Sequence, residues 1–236
     1  MRPNLKLIID IDADIKNAQY FVKNGEFVDW FLPSDFQYVM SGKFSFSEKN
    51  KIIAEYTRRI YKINKKDILK AVDETKKRWA NTENKFYGIV DKIFQGREWP
   101  KGEYIGFASI YLMYPRNIKK KTFFFPYSKI IRDPLGIIAH EMLHFIFFDF
   151  IKATYKLEEN AGFTGKNPKY LWQVSETFNT VIENWKPYEE IFNTKNEKIK
   201  PYPECEKIYQ IMRRQWNKKQ DINEFIDQWL LKPFAK

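Results

Sequence analysis

Residues 133–150 run Asp133-Pro134-Leu135-Gly136-Ile137-Ile138-Ala139-His140-Glu141-Met142-Leu143-His144-Phe145-Ile146-Phe147-Phe148-Asp149-Phe150. Asp133 is a good N-cap and Pro134 suits the first helical position, so a helix is predicted over 134–150. Both histidines of the chain lie inside it, in the HExxH pattern His140-Glu141-Met142-Leu143-His144. On a helix, positions i and i+4 stand one above the other, so two imidazoles can reach one metal ion. Glu141 is rotated by about 100° from His140. It stands beside such an ion, placed to take a proton from water rather than to ligate. Ile138, Met142 and Phe145 give the helix a core-facing side. Chance would place this pentapeptide in about one chain per thousand of this length and composition, so the match is specific for a short motif. The alternative, two hydrogen-bonded core histidines beside an unrelated glutamate, leaves an acid in a very apolar run unexplained.

A hydrolytic zinc site uses three protein ligands and keeps a fourth position open. With no third histidine and the single cysteine, Cys205, far downstream, a carboxylate is expected from among Asp149, Glu158, Glu159, Glu176 and Glu183. Glu176 stands out by its surroundings, because it is the one charged side chain in 170–182 (Tyr-Leu-Trp-Gln-Val-Ser-Glu-Thr-Phe-Asn-Thr-Val-Ile). A lone carboxylate on so apolar a helix is costly to bury unless it is paired or bound to a metal. Glu158 and Glu159 sit in a polar, loop-like stretch, Glu183 at the polar end of its helix beside Asn184, and Asp149 on the helix of His144 but pointing elsewhere.

Outward from this centre, residues 5–10 read as a strand, followed by aromatic-rich loops around Phe31-Leu32-Pro33-Ser34-Asp35. Ser47 is the expected N-cap of a helix carrying Ile52, Ile53, Tyr56 and Ile60. After a break at Asn64, a second and longer helical pattern runs from Lys65 toward Gly96. Residues 104–114 and 121–127, rich in aromatic and β-branched types and separated by Pro115-Arg116-Asn117, read as an antiparallel strand pair. A helix is expected after Asn167-Pro168 to about Asn184, and two amphipathic helices over 204–217 and 223–231.

The hydrophobic fraction of 44% over 236 residues fills a real core and excludes intrinsic disorder despite the formal charge of +11. One cysteine excludes a disulfide framework and multi-cysteine metal sites, and the nine glycines form neither a phosphate loop nor a dinucleotide fingerprint. The N-terminal apolar stretch is cut by Asp10, Asp12 and Asp14, which argues against a signal peptide, and the greasy stretch 137–148 is too short and polar for a membrane span. A cytoplasmic protein is the expectation.

The HExxH motif followed by a helix with a lone glutamate resembles the zincin metallopeptidases, and among them the gluzincins, such as thermolysin-like enzymes and minigluzincins. In those families the second helix supplies a glutamate ligand, commonly preceded by Asn and followed four residues later by an acid. Here the matching stretch is Ser175-Glu176-Thr177-Phe178-Asn179-Thr180, with Ser175 for the Asn and Thr180 for the acid that would orient the first histidine. The resemblance covers about 104–184. It implies a Zn²⁺ ion held by His140, His144 and Glu176, with Glu141 as the catalytic base, acting on a peptide or protein substrate. It also implies that 121–127 is the edge strand before the active-site helix, along which an extended peptide adds as a further strand; Pro126 suits an edge. Packing of Phe123 and Phe125 into an ordinary hairpin arm is the competing reading. In related enzymes a tyrosine or histidine stabilises the oxyanion; with both histidines used, Tyr155 and Tyr170 are nearest in sequence, and Tyr202, Tyr209, Arg213 and Arg214 follow.

The expected architecture is a single α+β zincin-like domain over 1–236. It comprises a helical N-terminal part (1–100), a catalytic core with a small twisted mixed sheet (104–184) and a helical C-terminal cap (201–236). The basic clusters Lys65-Lys66, Lys76-Lys77-Arg78, Lys119-Lys120-Lys121 and Arg213-Arg214 admit nucleic-acid binding, but interleaved Asp and Glu make solvated helix faces the better reading. An inactive zincin-like domain, or a basic domain that docks a nucleic acid or an acidic partner, is the rival function.

Overall fold

The computed structural model describes residues 2–24, 32–40, 42–129, 132–158, 169–194 and 198–231. The fold is α+β, mostly helical, with one small mixed sheet of four strands. The chain forms two compact units from interleaved segments: Pro3–Ala80 with Gly102–Ile138, and Met1–Arg2 with Asn81–Lys101 and Ala139–Lys236.

The first of these units holds the sheet, whose strands are β1 (Asn4–Ile8), β2 (Glu103–Ser109), β3 (Arg116–Asn117) and β4 (Thr122–Pro126), in the order β1-β2-β4-β3. β2 pairs parallel with both β1 and β4. This corrects the expected antiparallel pair: Ile105 faces Thr122 and Ser109 faces Pro126 in parallel register. The antiparallel partner of β4 is the two-residue β3, so the Pro115-Arg116-Asn117 punctuation belongs to a hairpin that follows β2. β4 is therefore second from the edge. β3 covers Thr122 and Phe123, Phe124 N–H donates to the Pro115 carbonyl, and Tyr127 N–H donates to Ser109 on the β2 side. Alternation puts the Pro126 nitrogen on the side away from β2, beyond the reach of β3, where no N–H is needed. In the central strand, Gly106 lies between Leu7 and Phe123, and a Cβ there would come within 2.8 Å of Leu7 and 2.9 Å of Phe123. Both neighbours close over the bare backbone and are buried.

Helix α1 (Ile11–Asn24) replaces part of the region expected to be loop; its first turn is capped by Asp10, whose side chain accepts from Ala13 N–H at 2.9 Å. Phe31 lies outside the described residues, and Ser34–Met40 forms a 3-10 helix. Helix α2 (Phe46–Ile63) starts two residues earlier than expected, because Ser45 rather than Ser47 makes a reciprocal capping box with Glu48. It ends at Asn64, and α3 (Lys65–Ile93) follows.

The fully buried Asp14 of α1 ties α1, α2 and the end of β2 together. It accepts from Ser109 Oγ at 2.5 Å, Ile110 N–H at 3.1 Å and Tyr61 Oη at 3.0 Å. Tyr61 Oη also lies 2.9 Å from the Ala108 carbonyl, but a phenol has one hydrogen. That single hydrogen is shared between the Asp14 carboxylate and the Ala108 carbonyl. Burial raises the Asp14 pKa to about 6, against hydrogen bonds from Ser109, Ile110 and Tyr61 that lower it.

α4 (Pro134–Tyr155), whose residues from Ala139 on belong to the other unit, continues past the expected end and is buried on every side up to Ile151, as its near-continuous apolar sequence requires. Asp133 caps it, accepting from Leu135 N–H at 2.9 Å. This helix is long and apolar enough to cross a membrane by length and composition, yet it is mostly buried within the protein. Helix α5 (Tyr170–Glu183) starts after Lys169, with Asn167 and Pro168 outside the described residues. The short α6 (Lys186–Phe192), the 3-10 turn Pro203–Cys205, α7 (Glu206–Lys218) and α8 (Ile222–Leu230) complete the unit. Phe178 is its apolar hub: it stacks on Phe147 at 5.1 Å and meets Phe94 at 5.9 Å, Trp216 at 6.2 Å and Phe225 at 6.0 Å. The C-terminal helices thus supply core rather than a detachable cover.

Between pH about 4 and about 6 the folded chain holds the Asp14 proton more tightly than the unfolded chain does, so stability falls as pH rises through that window. In urea titrations across this range, wild type should lose stability relative to Asp14→Asn; a pH-independent difference would remove Asp14 as the cause. A chain ending at Lys200 lacks Trp216 and Phe225 against Phe178. Each lost core aromatic costs about 3–5 kcal/mol against a total stability of about 5–15 kcal/mol. Circular dichroism should therefore show no cooperative melting of this unit; an unchanged melt would contradict the core assignment.

Candidate metal centre

Two helices build the centre. α4 supplies His140 and His144 from one face, and α5 supplies a line of polar side chains at i, i+3 and i+7: Glu176, Asn179 and Glu183. The apolar residues Leu171, Val174, Phe178, Val181 and Ile182 lie on the other side of α5 and are buried. The helix is therefore held in the core by one side and presents carboxylates on the other.

His140, His144 and Glu176 offer ligand atoms that all lie within 4.8 Å of one another. His140 Nε2 is 3.1 Å from His144 Nε2 and 3.2 Å from Glu176 Oε2, and His144 Nε2 is 3.3 Å from Glu176 Oε1. Two imidazole nitrogens and a carboxylate thus converge on one point. Tetrahedral zinc with bonds of about 2.05 Å sets its ligand atoms about 3.3 Å apart, so the donor set has the chemistry and spacing that such an ion takes.

The second ring nitrogen of His140, Nδ1, is 3.1 Å from Glu183 Oε1. Glu183, a candidate ligand by its sequence position, stands behind the first histidine instead. It reaches His140 from seven residues after Glu176, rather than from four. Thr180, which stands in the +4 position, turns its hydroxyl back to the Glu176 carbonyl at 2.9 Å. Asn179 donates from Nδ2 to the His140 carbonyl at 2.9 Å. The missed signal was periodicity: i and i+7 lie about 20° apart on a helix, so Glu183 shares the face of Glu176.

Solvent touches this group mainly at His140, whose side chain is 13% exposed, whereas those of His144 and Glu183 are at 0% and Glu176 at 4%. Burial disfavours an imidazolium at His140, but the carboxylates of Glu183 and Glu176 outweigh it and raise its pKa to about 10. Two buried carboxylates call for a nearby positive charge, and a proton or a divalent cation meets the same demand. Glu141 is buried, follows His140 directly and is outside the converging group.

The other acids are engaged elsewhere. Asp149 accepts from Arg97 Nε at 3.0 Å, Glu158 pairs with Lys152 at the surface, and Glu159 lies outside the described residues. The tyrosines nearest in sequence are also tied away from the centre: Tyr155 donates to Asp227 at 2.7 Å and Tyr170 to the Trp229 carbonyl at 2.9 Å. Tyr202 packs on Trp172 and Tyr209 is buried, while Arg214 bonds back to Gln210 within its own helix. None of these hydrogen bonds or contacts links a tyrosine or Arg214 to the histidine–glutamate group.

Replacing Glu183 by Gln keeps the shape but removes the charge behind His140. Zinc affinity, measured by chelator competition, should fall about ten- to a hundredfold while the fold is retained; unchanged affinity would deny Glu183 any part in the centre. No protein-family model matches the chain, and no curated protein or solved structure is detectably similar to it.

Proposed function

We propose that this chain is a zinc-dependent metallopeptidase with a gluzincin-like centre, acting on peptide or protein substrates. The observation that carries the reading is the convergence of His140 Nε2, His144 Nε2 and Glu176 at 3.1–3.3 Å from two different helices. The HExxH order gives Glu141 its place beside that point. His140, His144 and Glu176 would hold the ion and leave a position open. Zinc bound there supplies a Lewis acid for a carbonyl oxygen and makes a water acidic near neutral pH.

Glu141 takes the proton of the attacking water at its carboxylate and returns it to the leaving amine as the peptide bond breaks. Glu183 keeps the proton of His140 on Nδ1, so that Nε2 presents its lone pair. The lone, buried Cys205 fits a reducing compartment, and the cytoplasm is the proposed location.

Elemental analysis of protein purified without metal and then given zinc should find about one zinc per chain, lost in His140→Ala and weakened in Glu176→Ala. In a peptide-library cleavage assay, Glu141→Gln should keep the zinc and lose about 10²–10⁴-fold in turnover. Wild type that binds zinc and cleaves nothing would favour the inactive zincin-like domain. Wild type that takes up no zinc would end the metal reading and turn attention to the basic surface.

A further inference from the structure

The carbonyl of His140 sits where the three motif residues meet. It belongs to the first histidine, its peptide unit carries the backbone nitrogen of Glu141, and in the α4 helix it accepts the N–H of His144. Asn179 Nδ2 donates to this same oxygen at 2.9 Å across the two helices. One α5 face therefore holds His140 at three atoms: Glu176 at Nε2, Glu183 at Nδ1 and Asn179 at the carbonyl.

Asn179 is a poor choice on packing grounds alone. It is fully buried in the middle of α5, where Asn is a weak helix former, and its Oδ1 has no hydrogen-bond partner among the described residues. An apolar residue of similar size would fill the place without an unmet acceptor. What Asn uniquely supplies is the N–H that anchors the HExxH backbone, three residues after Glu176 on the same helix.

We infer that Asn179 is a positioning residue of the metal centre: its amide sets the HExxH peptide against α5, so that the Glu176 carboxylate and both imidazoles converge on one point. The inference rests on the metal reading above. Asn179 touches neither ion nor substrate and acts through the His140 peptide.

The test compares wild type with Asn179→Leu, of similar size, and Asn179→Ala, which is smaller; neither side chain carries a donor. Zinc affinity is read by chelator competition, site geometry by the visible spectrum of the Co²⁺-loaded protein, and folding by thermal melting without metal. Asn179→Leu should melt at or above wild type yet bind zinc about ten- to a hundredfold more weakly, with altered cobalt bands. Asn179→Ala should show the same loss of affinity, which keeps the question decidable should the Leu variant not fold. Either variant binding zinc as tightly as wild type, with an unchanged cobalt spectrum, overturns the inference. Wild type that binds no zinc overturns it together with the metal reading. Weakened zinc binding in the variants of a wild type that cleaves no peptide supports the positioning role and removes only the peptidase.

Discussion

Two buried carboxylates facing two imidazoles are the constraint on which the unit containing Ala139–Lys236 depends. Glu176 and Glu183 have given up solvent, and a burial of that kind persists only with positive charge and hydrogen bonds close by. Their helix can afford no shift against α4, because a displacement of an ångström would leave acids unpaired in an apolar interior. The large aromatic cluster around Phe178 supplies the rigidity that keeps the distances fixed, and Asn179 fixes the register on the polar side.

Helix α5 divides this work by face. One side offers an apolar surface to Phe147, Phe94, Trp216 and Phe225; the other offers two carboxylates and an amide to the HExxH helix. α4 has no such division, since nearly every side chain from Ile137 to Ile151 is buried. A polar group on α4 must therefore find its partners within the protein. His140 and His144 accordingly find carboxylates on α5.

Much of this could be read from the sequence where the signal was local. Asp133-Pro134 announced the start of α4, Asn64 separated α2 from α3, and the lone charge of Glu176 in an apolar segment singled it out. What failed was non-local or ambiguous. The direction of β4 relative to β2 depends on where the chain goes after Ser109, which no residue pattern encodes. Helix α1 lies in a region expected to be loop; of its acids, Asp12 is exposed in the first turn and Asp14 is buried against Tyr61 and Ser109. Glu183 was discounted for its polar neighbour Asn184, a linear criterion, although the helical period put it in line with Glu176. Ser45 and Ser47 are equally good caps by type, and only the reach of Glu48 chooses between them.

The interleaving of the two units carries a consequence for how the protein is made. Every residue of the sheet-bearing unit precedes Ala139, so a growing chain can complete that unit first. The other unit draws on Asn81–Lys101, the two metal-centre helices and α8, which ends at Leu230. Phe94 must wait for Phe178, and Phe178 for Trp216 and Phe225. Contacts so distant along the chain form slowly, since a long loop must close before any of them is gained. The histidines emerge from the ribosome well before the scaffold that aligns them with Glu176. The convergence of His140, His144 and Glu176 is thereby one of the last features of this unit to form.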